Sequence, residues 1–157
     1  MLIVYDLDLT LTDTNYGDKI SEAWKSRTNY DAIKQMLQQQ QRDGHILAIL
    51  SRGVRCDVIK FLDNVKLLHL FTVVIGAKSI SENRNNTDSF WGELKTKFLK
   101  ALSTVYGDDI VFADDKTYNI QPARRARFKV LHIKPPGSQT TVKLMHNYFE
   151  QRTERQS

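Results

Sequence analysis

Acidic residues recur at two places in this sequence where an apolar run ends. Asp6 and Asp8 follow the first run and stand two residues apart, and the pair Asp114-Asp115 follows a later one. Carboxylates held this close repel one another unless a positive charge lies near them. A divalent cation such as Mg²⁺ meets that need, because it prefers oxygen ligands and is often held by one or two carboxylates together with substrate phosphate. All four acids are therefore candidate metal ligands.

Two further side chains are of types that could contact a phosphate. Ser51 follows a third apolar run and can donate a hydrogen bond to a phosphate oxygen, and Lys95 can neutralise phosphate charge. Each residue taken singly has a simpler interpretation: a solvated loop cap for Asp6, a helix N-cap for Ser51, and a solvated helix lysine for Lys95. Their order along the chain favours a phosphoryl-transfer site.

The elements that must position these residues alternate along the chain. Apolar runs predict strands at residues 2–5, 46–50, 71–75, 110–113 and 129–133. Amphipathic stretches predict helices near residues 30–41, 58–62, 90–106, 120–126 and 140–152. Strands that are apolar throughout are typical of a parallel sheet covered on both faces by helices. The prediction is a Rossmann-like three-layer α/β/α sandwich with a central, mainly parallel five-stranded sheet, in which ligands bind beyond the carboxyl ends of the strands.

Bulk composition indicates one domain with no membrane segment. We expect residues 1–152 to form it and residues 153–157 to fray. No apolar run approaches the roughly 20 residues that span a bilayer, and Asp6 interrupts the first apolar stretch too early for a signal peptide.

The single cysteine, Cys56, favours a reducing compartment and hence a cytoplasmic location. The net charge of +5 mildly favours anionic partners. Oligomeric state is not predicted.

Other phosphate chemistries fit the sequence less well. A cysteine phosphatase needs an arginine about six positions after its nucleophile, whereas Leu62 stands there after Cys56, which we interpret as a core cysteine. The four histidines are scattered without ligand spacing for zinc, and Gly-rich phosphate loops are absent. A receiver domain would carry its phospho-acceptor after a later strand and would have no use for Asp8 and Thr10.

Three motifs in these positions resemble the haloacid dehalogenase superfamily, and most of all its capless magnesium-dependent phosphatases. The first motif, a strand followed by D-x-D-x-T, reads IVYDLDLTLT over residues 3–12. The second, a strand ending in Ser or Thr, reads AILSRG over residues 48–53, and the fourth, a strand ending in two acids, reads IVFADDKTYN over residues 110–119. The third motif is a lone lysine for which Lys95, Lys97 and Lys78 compete; the spacing to Leu99 and Leu102 favours Lys95.

The resemblance implies a mechanism. Asp6 would attack phosphorus and become an aspartyl phosphate, and Asp8 would protonate the leaving oxygen and then deprotonate the hydrolytic water. Ser51 and Lys95 would balance the charge of the transferring group. Thr10 and Arg52 complete the expected phosphate or substrate contacts, with Thr10 expected mainly to hold the loop. The metal would be held by Asp6, the backbone carbonyl of Asp8 and Asp114, with Asp115 acting directly or through water.

Substrate class follows from the shortness of the segments where relatives insert a cap domain. Residues 15–44 have room for a loop and one or two helices, and residues 78–89 for a loop. We therefore predict an open site with no cap domain, suited to a phosphate on a phosphoprotein or a nucleic-acid end. A small soluble phosphomonoester, or a catalytically silent binding module with the same fold, are the alternatives.

Overall fold

The computed structural model describes residues 1–14, 28–78 and 87–157, and of Thr28 and Lys78 it describes the backbone alone. The predicted polar loop at residues 79–89 lies mostly outside the described residues, as does the part of the first loop beyond residue 14. Within the described ranges, no helix combines the length and the apolar character that crossing a membrane requires.

Five strands form one sheet whose neighbouring strands all run parallel. They are β1 (Leu2–Tyr5), β2 (Ile46–Val54), β3 (Val73–Lys78), β4 (Ile110–Asp114) and β5 (Lys129–His132). Their order across the sheet is β3-β2-β1-β4-β5. The chain therefore builds outward from β1 in one direction through β2 and β3, and then returns to the other side of β1 for β4. Doubly wound sheets bind ligands where the strand order reverses in this way. That point lies at the carboxyl ends of β1 and β4.

Helices cover both faces of the sheet, which confirms the predicted three-layer α/β/α fold. The described helices are α1 (Thr28–Arg42), α2 (Arg55–Asn64), α3 (Asp88–Tyr106), α4 (Thr117–Arg125) and α5 (Ser138–Gln156). Ile3 and Tyr5 of β1 face a core formed with α1, α2 and α5. Leu2 and Val4 face a second core formed with α3 and α4. The strict alternation within β1 explains why its four residues are all buried, since both faces of a central parallel strand are covered.

Several element boundaries differ from those predicted. β2 continues to Val54, so Ser51 lies within the strand, and the pairing with β3 becomes irregular after Ser51. β3 begins at Val73 because the backbone N–H of Phe71 donates to the carbonyl of Leu68 in a short helical turn and not to a neighbouring strand. Helix α5 runs to Gln156 and so includes residues 153–156, which the sequence predicts to fray.

Cys56 is exposed, which contradicts its interpretation as a core residue. Helix α2 buries Val58, Phe61 and Leu62. At 100° per residue, position 56 points away from that face. An amphipathic helix is thus correctly predicted here, but the cysteine is on its solvent side.

Candidate active site

Asp6 and Asp114 end neighbouring strands at the point where the strand order reverses. Tyr5 pairs with Ala113 in the register of β1 and β4, and the backbone N–H of Asp6 donates to the carbonyl of Ala113 over 2.9 Å. The ladder therefore places the next residue of each strand, Asp6 and Asp114, side by side. Both are buried, so the solvated loop cap considered for Asp6 is wrong.

Lys95 joins these two acids. It lies on the buried face of α3 with 1% of its side chain exposed, and its Nζ is 2.9 Å from Asp6 Oδ1 and 2.8 Å from Asp114 Oδ2. The solvated alternative for this lysine is therefore wrong. Lys97, two residues along the same helix, is exposed, and the side chain of Lys78 lies outside the described residues. Of the two lysines whose side chains are described, Lys95 is the one that reaches the acids.

The two acids after β4 differ in their hydrogen bonding. Asp114 accepts from the Lys116 backbone N–H at 2.8 Å, from Lys95 Nζ, and from Asn119 Nδ2 at 3.0 Å. Both carboxylate oxygens of Asp115 are buried and accept no hydrogen bond from the residues described, although Lys116 Nζ stands 3.4 Å from Oδ2. Asp115 is therefore the acid with oxygens left to bind another group.

Burial is the main influence on the ionisation of the acids in this site, and their mutual repulsion is the second. Burial raises the pKa of Asp6 well above its ordinary value, and the charge of Asp114 adds to the effect while Lys95 opposes it. Burial likewise raises the pKa of Asp115, with Asp114 contributing. Burial disfavours the charged form of Lys95, but Asp114 and Asp6 outweigh it and hold the pKa of the ammonium above its usual value. One buried ammonium thus pairs with two of the three buried carboxylates, and the third, Asp115, faces the half-exposed ammonium of Lys116.

A cavity of about 190 Å³ opens over Asp6. The structure brings six of the predicted residues together around this space: Asp6, Asp8, Ser51, Arg52, Lys95 and Asp115. Ser51 is buried and its Oγ accepts from the backbone N–H of Gly53 at 3.1 Å. Ser51 is not an N-cap of α2, because Val54 occupies that position without a side-chain cap. Its hydroxyl hydrogen can therefore be directed at a ligand.

Thr10 and Arg52 occupy different parts of the site. Thr10 is fully buried and its hydroxyl lies 3.4 Å from Asp6 Oδ2, on the loop side of the nucleophile candidate. Arg52 lines the cavity with 43% of its side chain exposed. Its guanidinium carbon lies 4.8 Å from the centre of the Trp91 ring and its Nη1 lies 3.5 Å from Asp88. The stacking orders a half-exposed cation beside the cavity.

The donor set suits a hard cation. One carboxylate oxygen from each of Asp6, Asp114 and Asp115 lies within 4.8 Å of the others. Three buried carboxylates, one of which has both oxygens unsatisfied, are the type of ligand that Mg²⁺ takes in proteins. The carboxylate of Asp8 is outside this group, and the sequence-based role of its backbone carbonyl stays a prediction.

Three residues near the site had no predicted role. Lys116, Tyr118 and Asn119 line the cavity, and Asn119 donates to Asp114 from the first turn of α4. All three follow the acidic pair within five residues, so the strand-to-helix connection after β4 was the available signal. Which of them faces the cavity depends on where α4 begins, and the predicted start near residue 120 was three residues late.

Comparison with known proteins places the chain in a family of hydrolases. The family model described as haloacid dehalogenase-like hydrolase matches residues 15–133, a range that begins after Asp6 and Asp8. No curated protein matches the chain at a significant level of sequence similarity.

Solved structures of the same fold have low sequence identity to this chain. The N-terminal part of a Bacteroides fragilis protein, containing a phosphatase domain complexed with Mg, is 15% identical with a TM-score of 0.69, over 92% of this chain and 39% of that one. A haloacid dehalogenase-like family hydrolase from Streptococcus pneumoniae is 14% identical with a TM-score of 0.53, over 90% and 89% of the two chains. A substrate-bound phosphoserine phosphatase is 13% identical with a TM-score of 0.52, over 81% and 82%. The chain belongs to the haloacid dehalogenase-like hydrolases and has the fold of phosphatases in that family.

Proposed function

We propose that this hydrolase is a Mg²⁺-dependent phosphomonoesterase that forms a phospho-aspartyl intermediate on Asp6. The observation that carries the proposal is the position of Lys95, whose buried ammonium bridges Asp6 and Asp114 beneath the cavity that Asp8 and Ser51 line. A buried lysine that pairs with two carboxylates at a cavity floor is costly for a purely structural role. It is well placed to offset the charge of a phosphoryl group.

Asp6 is the proposed nucleophile. Its Oδ1 accepts the short hydrogen bond from Lys95, whereas Oδ2 has the longer 3.4 Å contact with Thr10. Oδ2 is therefore the less tightly held oxygen and the one we expect to form the bond to phosphorus as the ester P–O bond breaks. The proton required by the departing alkoxide comes from Asp8, which lines the same cavity. Asp8 then takes a proton from the water that attacks the aspartyl phosphate and releases inorganic phosphate.

Ser51, Lys95 and Arg52 supply positive character around the transferring phosphoryl group. The Ser51 hydroxyl and the Lys95 ammonium face the cavity from β2 and α3. Preorganised donors of this kind stabilise charge that develops in the transition state, and they cost no reorganisation at the moment of reaction. Thr10, whose hydroxyl contacts Asp6, holds the loop next to the nucleophile and has no direct contact with substrate in this proposal.

Asp6, Asp114 and Asp115 would hold the Mg²⁺, with Asp115 contributing oxygens that have no other hydrogen bond. When bound, the ion would supply positive charge that favours the ionised form of Asp6 and neutralises phosphate oxygens. Burial and the neighbouring Asp114 raise the pKa of Asp6, and a bound cation would act against both.

The proposed substrate is a phosphate carried by a large molecule. A cavity of about 190 Å³ lies below the ~300 Å³ typical of sites that enclose a whole small ligand. The leaving group therefore extends past Arg52 and the exposed Lys116 at its edge. The segments in which a cap domain would be inserted, residues 15–27 and 79–86, are each far shorter than the ~50 residues of a small domain. We infer an open site that accepts a phosphoprotein or a nucleic-acid end.

A small soluble phosphomonoester is the second candidate. It is favoured by the fold shared with a substrate-bound phosphoserine phosphatase, and it requires that the leaving group be recognised outside the cavity. We place the protein in a reducing compartment such as the cytosol, because its single cysteine has no cysteine in the chain to pair with.

The experiment that tests this function measures phosphate release from an aryl phosphate with Mg²⁺, with EDTA, and with the variant Asp6→Asn. We expect turnover that requires Mg²⁺ and falls by at least about 10³-fold in the variant, since the covalent route is then closed. Phosphopeptides and 3′- or 5′-phosphorylated oligonucleotides, assayed beside a small alkyl phosphate, then separate the substrate classes. Absence of turnover in folded, Mg²⁺-replete protein would overturn the proposal in favour of a binding module.

A further inference from the structure

The beginning of helix α5 is hydrogen-bonded to the loop that carries Asp8. The backbone N–H of Gly137 donates to the carbonyl of Leu9 over 2.7 Å. The Thr141 hydroxyl lies 2.6 Å from the carbonyl of Thr10 and 3.1 Å from that of Gly137, so its single hydrogen points preferentially at Thr10. Thr141 is completely buried. The two loop carbonyls that α5 contacts thus belong to the two residues directly after Asp8.

A second set of bonds fixes the far end of the same loop. Asp13 Oδ1 accepts from the backbone N–H of Ser138 at 2.9 Å and from its hydroxyl at 2.7 Å. Asp13 Oδ2 accepts from Asn29 at the start of α1 over 3.1 Å. The loop is therefore tied at Leu9, Thr10 and Asp13 to one turn of a helix that begins more than 120 residues later.

The backbone is unusual at both partners of the hydrogen bond between Gly137 and Leu9. Leu9 has φ of 59°, the left-handed region that a branched side chain rarely adopts. Such a conformation persists where surrounding contacts determine it, and it recurs at functional sites. Gly137 has φ of 129°, and a Cβ there would lie 3.1 Å from Asp13 Oδ1. Glycine lets the chain turn tightly enough for its N–H to reach Leu9.

The nucleophile is positioned by other means. Asp6 is held by the backbone bond to β4 and by the short bond from Lys95, and only its longer 3.4 Å contact, with the Thr10 hydroxyl, comes from the turn. Asp8 lies past the end of the sheet, in a helical turn, Leu7–Leu11, whose own backbone is non-helical at Asp8 and Leu9. The position of the Asp8 carboxyl group relative to the leaving oxygen therefore depends on the contacts that hold this turn.

We propose that Thr141, with Gly137 and Ser138, forms a positioning device that sets the carboxyl group of Asp8 for proton transfer to the leaving group. The proposal rests on the phosphatase function proposed above. Removing the Thr141 hydroxyl leaves the Thr10 carbonyl without its buried donor and lets the turn carrying Asp8 shift, while the backbone bond to β4 and the Lys95 ion pair still hold Asp6. The defect then falls on the proton transfers that Asp8 makes and not on nucleophilic attack.

Comparing the rates on a poor and a good leaving group separates protonation of the leaving oxygen from nucleophilic attack. An alkyl phosphate such as β-glycerophosphate needs a proton on its departing oxygen, whereas p-nitrophenol leaves readily as an anion. We expect Thr141→Val to lower kcat/KM on β-glycerophosphate, which reports the steps up to formation of the aspartyl phosphate, by about tenfold or more. We expect kcat/KM on p-nitrophenyl phosphate to fall less than about threefold, whereas kcat falls on both substrates where hydrolysis of their common intermediate limits turnover, because Asp8 also serves that step. Thr141→Ser, which keeps the hydroxyl, restores kcat/KM on the alkyl phosphate.

Two further variants complete the experiment. Thr153→Val removes a hydroxyl that bonds within the same helix, to the Phe149 carbonyl at 3.0 Å, and should leave both rates unchanged. Ser138→Ala, which keeps the N–H bond to Asp13, should give a smaller defect with the same selectivity and covers the case in which Thr141→Val fails to fold.

The possible outcomes distinguish failure of the positioning role from failure of the phosphatase function. Equal losses of kcat/KM on both substrates, or no loss on either while the wild type turns over, would overturn the positioning role and leave the phosphatase function standing. A wild type that hydrolyses neither phosphate in Mg²⁺ would overturn both.

Discussion

Asp114 and Asp115 are adjacent in sequence but differ in what their carboxylates can do. The oxygens of Asp114 accept three hydrogen bonds, from Lys95, Lys116 and Asn119. Those of Asp115 are buried and accept none from the residues described. Lys116 Nζ lies 3.4 Å from Oδ2 but makes no hydrogen bond to it. Burying carboxylate oxygens without hydrogen bonds is costly, so this residue is the strongest structural indication of a cation at the site.

Magnesium should therefore stabilise the fold through Asp115. A ligand that binds the native state at 100 times its Kd adds about 2.7 kcal/mol to the free energy of unfolding. We expect Mg²⁺ to raise the Tm of the wild type and to have little effect on Asp115→Asn. Without metal, Asp115→Asn should be no less stable than the wild type, because one buried like charge has been removed.

Differential scanning fluorimetry with Mg²⁺ and with EDTA measures these shifts. Asp57→Asn, an exposed acid in the first turn of α2, is the matched control and should keep the full Mg²⁺ response. A shift of the same size in Asp115→Asn would show that the ion binds elsewhere.

Helix α3 delivers Lys95 to the sheet because it packs very closely against α4. A Cβ on Gly92 would lie 1.8 Å from the carbonyl oxygen of Tyr118. That contact involves backbone, so the helices would have to separate. Gly92 is one turn before Lys95, and Tyr118 is next to Asn119, which donates to Asp114.

Gly92→Ala should consequently lower both stability and activity. Alanine is the better helix former by about 1 kcal/mol, but forcing extra volume into a packed contact costs about 1–3 kcal/mol. We expect a net loss of up to about 2 kcal/mol in urea unfolding, with kcat reduced as Lys95 moves from the acids. Lys97→Ala, an exposed change in the same helix, should alter neither; a stabilised Gly92→Ala protein would contradict the packing argument.

At the scale of the whole molecule, an ion pair joins the last helix to the start of β4. Arg152 Nη2 lies 2.7 Å and Nη1 3.0 Å from the two carboxylate oxygens of Asp109. The hydrogen bonds from Arg152 lower the pKa of Asp109 below its ordinary value. With the folded pKa depressed, the pair stabilises the protein above the unfolded pKa of about 4, and this contribution is lost as pH falls through the folded value.

Arg152→Gln should remove that pH-dependent contribution. Because 55% of the Asp109 side chain is exposed, solvent screening limits the loss at pH 7 to less than about 1 kcal/mol, and the two proteins should converge near pH 2. Urea unfolding across this range measures the difference. The exposed Arg155 provides the control variant Arg155→Gln, which should follow the wild type; a gap that widens toward low pH would contradict the assignment.

The fold was predictable because its signals are local. Apolar runs locate β1, β4 and β5 within a residue, and alternation of strands and helices indicates the parallel sheet. The spacing of Lys95 to Leu99 and Leu102 also selects the lysine that faces the sheet. The features that the sequence did not predict depend on distant residues. The start of α5 is hydrogen-bonded to Asp13 and Leu9. Asp114 differs from Asp115 because residues of α3 and α4 donate hydrogen bonds to it. No local pattern records such partners.

Trapping the enzyme during turnover is the direct test of a covalent intermediate on Asp6. The protein is mixed with substrate and Mg²⁺, quenched in acid within milliseconds to seconds, and the proteolytic peptides are analysed by mass spectrometry. We expect a transient phosphoryl group on Asp6 that is absent in Asp6→Asn. Turnover with no phosphoryl group on Asp6 at any quench time, or full activity of Asp6→Asn, would contradict it.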